Sequence, residues 1–144
     1  MAFHEAGKRA LQHLELAERF LVEGSGLIDK DPLQASEKLY KAAEEAVKAI
    51  AAALDLDEAG KALEGGKWTL SLLDDAVYAI SERLGVGELM DWWDAAWFLH
   101  VEGFREARLR GIDVAKRYGH VEALVGLARG VVQERVREQS LGYG

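Results

Sequence analysis

The sequence predicts an all-α fold, an up-and-down bundle of four to five helices. Apolar residues recur at helical spacing through almost the whole chain. No stretch alternates apolar and polar residues for long, and no Asn is present to mark an Asn-Gly hairpin. The periodic runs are separated by Gly pairs and one Asp-Pro. Short links between long helices favour antiparallel neighbours.

The first helix is expected over about residues 3–22, with Ala6, Ala10, Leu14, Ala17 and Leu21 as its inner stripe and Leu16 and Phe20 widening the face. Gly24-Ser25-Gly26 reads as its stop. Asp31-Pro32 opens the second helix, because Asp caps well and Pro fits the first turn. This helix runs to about residue 54. Ala35, Leu39, Ala42, Ala43, Ala46, Val47, Ile50 and Leu54 line one side, and so many alanines imply a close neighbour. Tyr40, Glu44 and Lys48 form a second line.

Residues 55–67 read as a connection holding at most a short helical turn, Asp57 to Leu63. A third helix follows from Trp68 or Thr69 to before Gly85, with Leu72, Leu73, Ala76, Ile80 and Leu84 inward. The fourth is expected over about residues 88–110. The fifth begins after Gly111 and ends near Gln139, with Val114, Tyr118, Val121, Val125, Ala128 and Val132 inward and Leu124, Leu127 and Val131 beside them. Gly119, Gly126 and Gly130 each weaken a mid-helix position by about 1 kcal/mol relative to Ala. Residues 1–139 form a single domain, and residues 140–144 read as a frayed tail.

Half the chain is apolar and 30% is charged, the balance of a folded globular protein. The absence of Cys excludes disulfides, thiolate chemistry and Cys-based zinc sites. It fits a cytoplasmic protein and, weakly, one from a thermophile. No signal-type run opens the chain and no apolar run suits a membrane span, so no membrane partner is expected. The net charge of −7 conceals an asymmetry: residues 1–104 carry 20 acidic against 10 basic side chains, residues 105–144 carry 5 against 8. An acidic body disfavours DNA. The basic onset at Arg105, Arg108, Arg110, Lys116 and Arg117 leaves room for a nucleotide or RNA, beside the plainer reading of a solvated helix end.

The densest chemistry lies between Trp92 and Phe104, where three of the four tryptophans precede His100, Glu102 and Gly103. On a helix Trp93, Trp97, His100 and Phe104 share one face. A His among aromatics can bond a ligand, or a neighbouring helix. Glu102 and Glu106 with Arg105 between them can bind or trade protons, or pair with arginines on an outer face. Tyr40, Glu44 and Lys48 are expected to frame a polar slot beside the fourth helix, with Lys48 neutralising Glu102 or holding an anion, or simply pairing with Glu44. Tyr40, Glu44, Lys48, Trp93, Trp97, His100, Glu102 and Arg105 are therefore the candidate pocket for a ligand or partner.

No catalytic constellation stands out. No Glu-x-x-His motif supports a di-iron site, so no metal is expected. The glycine pairs lack the Lys-Ser/Thr and preceding strand of a phosphate loop, and no cofactor is expected. No serine sits in a Gly-x-Ser-x-Gly setting.

The run LVEG at residues 21–24, QASEKLYKAAEEAVKAIA at 34–51, the tryptophan segment and LHVEGF at 99–104 together resemble the archaeal PaREP family, PaREP one. The similarity extends over about residues 14–132. That family is grouped with the HEPN-like helical domains, so the resemblance implies a four- or five-helix HEPN-like bundle, commonly a homodimer. Many other HEPN domains are ribonucleases or toxins paired with a nucleotidyltransferase, marked by an Arg, about four to six further residues, then a His. Here His4 has no Arg before it, three residues part Arg9 from His13, Arg83 lies far before His100, and two residues part Arg117 from His120. None fits. The reading is a dimerising interaction module without catalytic activity, warranted by a fourth helix that is apolar on two sides. The alternative is a nucleotide- or RNA-binding HEPN relative from a toxin–antitoxin or defence pair. A third, weaker reading is a ribonuclease with an unusual His100 or His120 site.

Overall fold

The computed structural model describes residues 2–142, and side chains from Glu5 to Leu141. It contains α1 (Ala2–Leu27), α2 (Pro32–Ala53), α3 (Asp57–Gly65), α4 (Leu70–Leu84), α5 (Glu88–Phe98), a π-helical segment (Leu99–Arg105) and α6 (Gly111–Gly142). No strand occurs among the described residues, and no helix there is long and apolar enough to cross a membrane. The class is as expected. Among the described residues there are six α-helices rather than four or five, because residues 57–65 form a full helix instead of a turn.

Cap chemistry explains several boundaries. Asp31 accepts a hydrogen bond from Gln34 N at 3.1 Å, and Pro32 occupies the first turn of α2. Thr69 accepts from Leu72 N at 3.2 Å at the start of α4. Gly66 and Gly85 end α3 and α4 in the left-handed conformation, at φ 77° and 67°.

Three expected ends are corrected. α1 runs through Gly24-Ser25-Gly26 to Leu27, because Gly24 is buried where a Cβ would press on Leu39 of α2; there glycine permits close packing instead of ending the helix. The expected fourth helix divides: α5 stops at Phe98, the π segment follows, and helix ends at Arg105 rather than residue 110. Glu106 N reaches back to Val101 O at 2.9 Å, and Ala107 turns into the left-handed region at φ 53°. α6 passes residue 139 and continues to Gly142, so residues 140–142 are helical; Tyr143 and Gly144 lie outside the described residues.

α1 and α2 are antiparallel, since His13 meets Glu45 while Glu23 meets Lys38. α1 and α6 are also antiparallel, with Glu18 paired to Arg129 and Gly7 beside Gln139. α2 and α6 therefore run the same way, and they too are in contact. Such proximity needs thin side chains. α2 supplies them: Ala35, Ala42, Ala43, Ala46, Ala49 and Ala51 are all fully buried. The expected one-sided stripe is thus too modest, because α2 is buried around most of its circumference and serves as the central helix. Leu39, Val47 and Ile50 fill the gaps the alanines leave, each contributing about 1.5–3 kcal/mol by burial.

Candidate functional site

Along α2, Glu37, Tyr40, Glu44 and Lys48 follow one another at three- or four-residue steps, on one line of the helix. The π segment packs against the first part of this line and α1 reaches the last part. Tyr40 stacks on His100 with ring centroids 4.3 Å apart and planes 27° apart. It also meets Trp93 at 5.9 Å and the edge of Trp97 at 6.0 Å. His100 lies 5.2 Å from Trp97 and stacks at 6.2 Å on Phe104. His100 then donates from Nδ1 to Oε1 of Glu37 at 2.9 Å. One ring nitrogen is thereby bonded to a carboxylate, and the ring is packed among Tyr40, Trp97 and Phe104. Of its two options, His100 bonds a neighbouring helix.

Burial, and then the negative charges of Glu44 and Glu37, push the Tyr40 hydroxyl well above its usual range. Tyr40 stays a neutral phenol. The two adjacent carboxyls behave oppositely. Burial pushes Glu44 up, with Lys48 opposing and Glu45 and Glu37 adding to the rise. Burial acts on Glu45 as well, but the His13 hydrogen bond and Lys48 outweigh it and hold Glu45 below its usual value. Glu45 accepts from His13 Nδ1 at 2.7 Å and from Lys48 Nζ at 3.0 Å. Lys48 stands 4.0 Å from Glu44.

Tyr40, Trp93, Trp97 and His100 therefore come together, with Glu44 and Lys48 further along the same line. Glu102 and Arg105 are not part of the cluster. Lys48 does not neutralise Glu102; it pairs with Glu45, and Glu102 pairs with Arg108 at 3.4 Å. The reason is distance. The π segment meets α2 at Ser36, Glu37 and Tyr40, and Lys48 lies eight residues beyond the last of these, about 12 Å along the axis. Arg108 also bonds Glu106 at 3.1 Å, the outer-face pairing that was the simpler of the two readings. Arg105 is exposed.

Three of the five basic side chains of this stretch, Arg108, Arg110 and Arg117, find partners within the chain, the first two at its surface. Arg110 bonds Asp113 at 3.0 Å and holds that carboxyl far below its usual range. The Arg117 guanidinium lies 4.1 Å over the Phe98 ring and donates to Asp113 O at 2.9 Å. Among the described residues no group of three or more His, Asp or Glu is arranged to hold a metal ion.

Two cavities flank the line. One, of about 340 Å³, lies beside Trp93 and Trp97 against Leu70, Ser71 and Asp74. The other, of about 230 Å³, lies at the Lys48 end with His13, Arg9 and Lys67 in its wall. Glu37, Glu45 and Lys67 are not among the residues the sequence singles out, and Arg9 and His13 stand out there only as an Arg–His pair that does not fit the ribonuclease spacing. Glu37 could be singled out, since it extends the Tyr40–Glu44–Lys48 spacing by one step. The others meet only through the register of α1 and α3 on α2, for which one sequence holds no signal.

The model of the archaeal PaREP1/PaREP8 family matches residues 12–125, a stretch that holds all of α2, the aromatic cluster and the π segment. The chain belongs to the archaeal PaREP1/PaREP8 family. This PaREP protein is similar to a protein from Sulfolobus solfataricus whose crystal structure has been solved, with 34% identity and a TM-score of 0.76, covering 81% of this chain and 96% of that one. A solution structure of the same structural-genomics target gives 34% identity and a TM-score of 0.64, covering 87% of this chain and 92% of that one. No curated protein matches. The PaREP match begins after Arg9 and stops before Gly126 and Gly130, so it contains the aromatic cluster but not the second half of α6.

Proposed function

We propose that this PaREP protein is a HEPN-like interaction module without catalytic activity, and that it works as a homodimer through α6. The supporting observation is a groove of about 520 Å³ along that helix. Its apolar lining is Leu54, Leu84, Leu127 and Val131, with Gly126 and Gly130 between them on α6. A Cβ at Gly119, Gly126 or Gly130 would meet nothing within 4 Å. Packing inside the chain therefore does not need these glycines, although each costs about 1 kcal/mol of helix stability relative to Ala. A partner helix lying close against them supplies the need. The rim carries Arg83 and Arg135 together with Glu134 and Glu138, so the patch holds both signs and suits a two-fold contact with itself. The surplus apolar face of α5 no longer serves as the warrant, since Trp92, Trp97 and Met90 pack against the core of the same chain.

Lack of catalysis is supported by the histidines themselves, none of which has an Arg before it with four to six residues between. Light scattering tests the dimer. The wild type is expected at twice the chain mass at tens of micromolar. Gly126→Leu and Gly130→Leu, which the open space accommodates, are expected to shift it to monomer with helix content retained. A monomeric wild type at that concentration sinks the proposal.

A nucleotide or RNA at the basic end remains the alternative. It is favoured by Arg105, which is exposed and joins no ion pair among the described residues. It is weakened by the internal pairing of Arg108, Arg110 and Arg117. Salt-dependent RNA binding that Arg105→Gln abolishes would reverse the order of the two readings.

A further inference from the structure

We infer that the cavity at the Lys48 end is a binding site for a small phosphate monoester with a flat apolar body. The chain as a whole is acidic at −7, yet this cavity of about 230 Å³ has Arg9, His13, Lys48 and Lys67 in its wall and no carboxylate among its lining residues. The four come from three places in the chain: α1, α2 and the link after α3. No helix periodicity on one element produces the cluster. The fold does.

The four side chains sort into two kinds. Lys48 and His13 are both bonded to Glu45, which is 8% exposed, and Lys48 also stands 4.0 Å from Glu44. These carboxylates offset the Lys48 charge, and Glu45 fixes both side chains in position. Arg9 and Lys67 join no ion pair among the described residues. Two uncompensated cations at one mouth match the two charges that a phosphate monoester carries near neutral pH. A carboxylate would satisfy only one of them. Lys48 retains N–H donors beyond the one given to Glu45.

The rest of the wall is apolar. Alanines of α2 and α3 form the floor, and Leu63 and the half-buried Trp68 stand beside it. An indole beside a cationic mouth suits a ring attached to a charged group. The volume falls below the 300–1,000 Å³ or so of drug-sized sites, which limits the body to about one ring. The site shares no lining residue with the α6 groove, so it stands or falls independently of dimerisation.

Calorimetric titration of the full chain with phenyl phosphate at low salt tests the inference. Phenyl phosphate is expected to bind about tenfold more tightly than inorganic phosphate, phenol is expected to give no heat, and affinity is expected to fall as salt rises. Arg9→Gln and Lys67→Gln are each expected to weaken binding about tenfold while leaving the circular dichroism spectrum unchanged, since neither side chain is paired within the fold. No binding of phenyl phosphate at millimolar concentration would overturn the assignment. So would wild-type affinity in both variants. Equal affinity for inorganic phosphate and phenyl phosphate would overturn the apolar half of it.

Discussion

Gly103 of the π segment lies so close to Ser36 of α2 that a Cβ on the glycine would overlap the serine side chain. The serine is itself turned inward, bonding Pro32 O at 2.7 Å one turn back. This contact brings the π segment onto α2 and sets His100 over Tyr40. Gly103→Ala is expected to cost about 1–3 kcal/mol, the range for overpacking. Adding Ser36→Gly should return part of that loss despite the poorer helix propensity of glycine. Urea unfolding of the four members of this cycle measures it, and additive costs would mean that the two residues do not touch.

The His100–Glu37 bond joins the π segment to α2 across 63 residues of chain. Double substitution to Ala is expected to be less damaging than the two single changes summed, with a coupling of about 1–2 kcal/mol. Glu37→Gln, which can still accept from Nδ1, should cost less than Glu37→Ala. Equal costs for Gln and Ala would remove the hydrogen bond from the account.

Glu44 and Glu45 should respond to pH in opposite senses. The folded value of Glu45 is lowered, so its contribution is present above its unfolded value and is lost as pH falls through the folded one. The folded value of Glu44 is raised, so the folded state is penalised once pH rises past it. Glu45→Gln should therefore lower stability at neutral pH and flatten the loss in acid. Glu44→Gln should leave stability at neutral pH unchanged or higher. Urea midpoints followed from neutral into acid test both, and parallel curves for the two variants would contradict the assignment.

Among the described residues, two other than glycine hold left-handed backbone: Ala107 at φ 53° and Asp55 at φ 55°. For an L-residue this costs about 1–2 kcal/mol, and Asp tolerates it better than Ala. Ala107→Gly should gain up to about 1 kcal/mol after the entropy glycine adds to the unfolded chain. Asp55→Gly should gain less. A lowered melting temperature in Ala107→Gly would show that the turn after the π segment is not held as described.

Much of the burial was legible in the chain. Ala6, Ala10, Leu14, Ala17 and Leu21 are the buried stripe of α1 as spaced, and Val114, Val121, Val125, Ala128 and Val132 that of α6. Periodicity reports faces well because each helix must hide one. Misreadings fell where a local signal had two meanings. Gly24 looks like a stop and is a packing site. The run Leu99–Arg105 looks like α-helix, since no residue type distinguishes a π turn, whose extra residue is retained only because tertiary contacts favour it.

The order of residues dictated an all-helical chain, its buried faces, its Asp31 and Thr69 caps and its aromatic ridge, because spacing and capping act over a few neighbouring positions. Only the assembled bundle decided that Glu37 would meet His100 and that Arg9, Lys48 and Lys67 would share one mouth. Those partners are tens of residues apart, and their meeting depends on how far one helix slides along another. The alanines and glycines between the helices settle that distance, and no single helix contains the information.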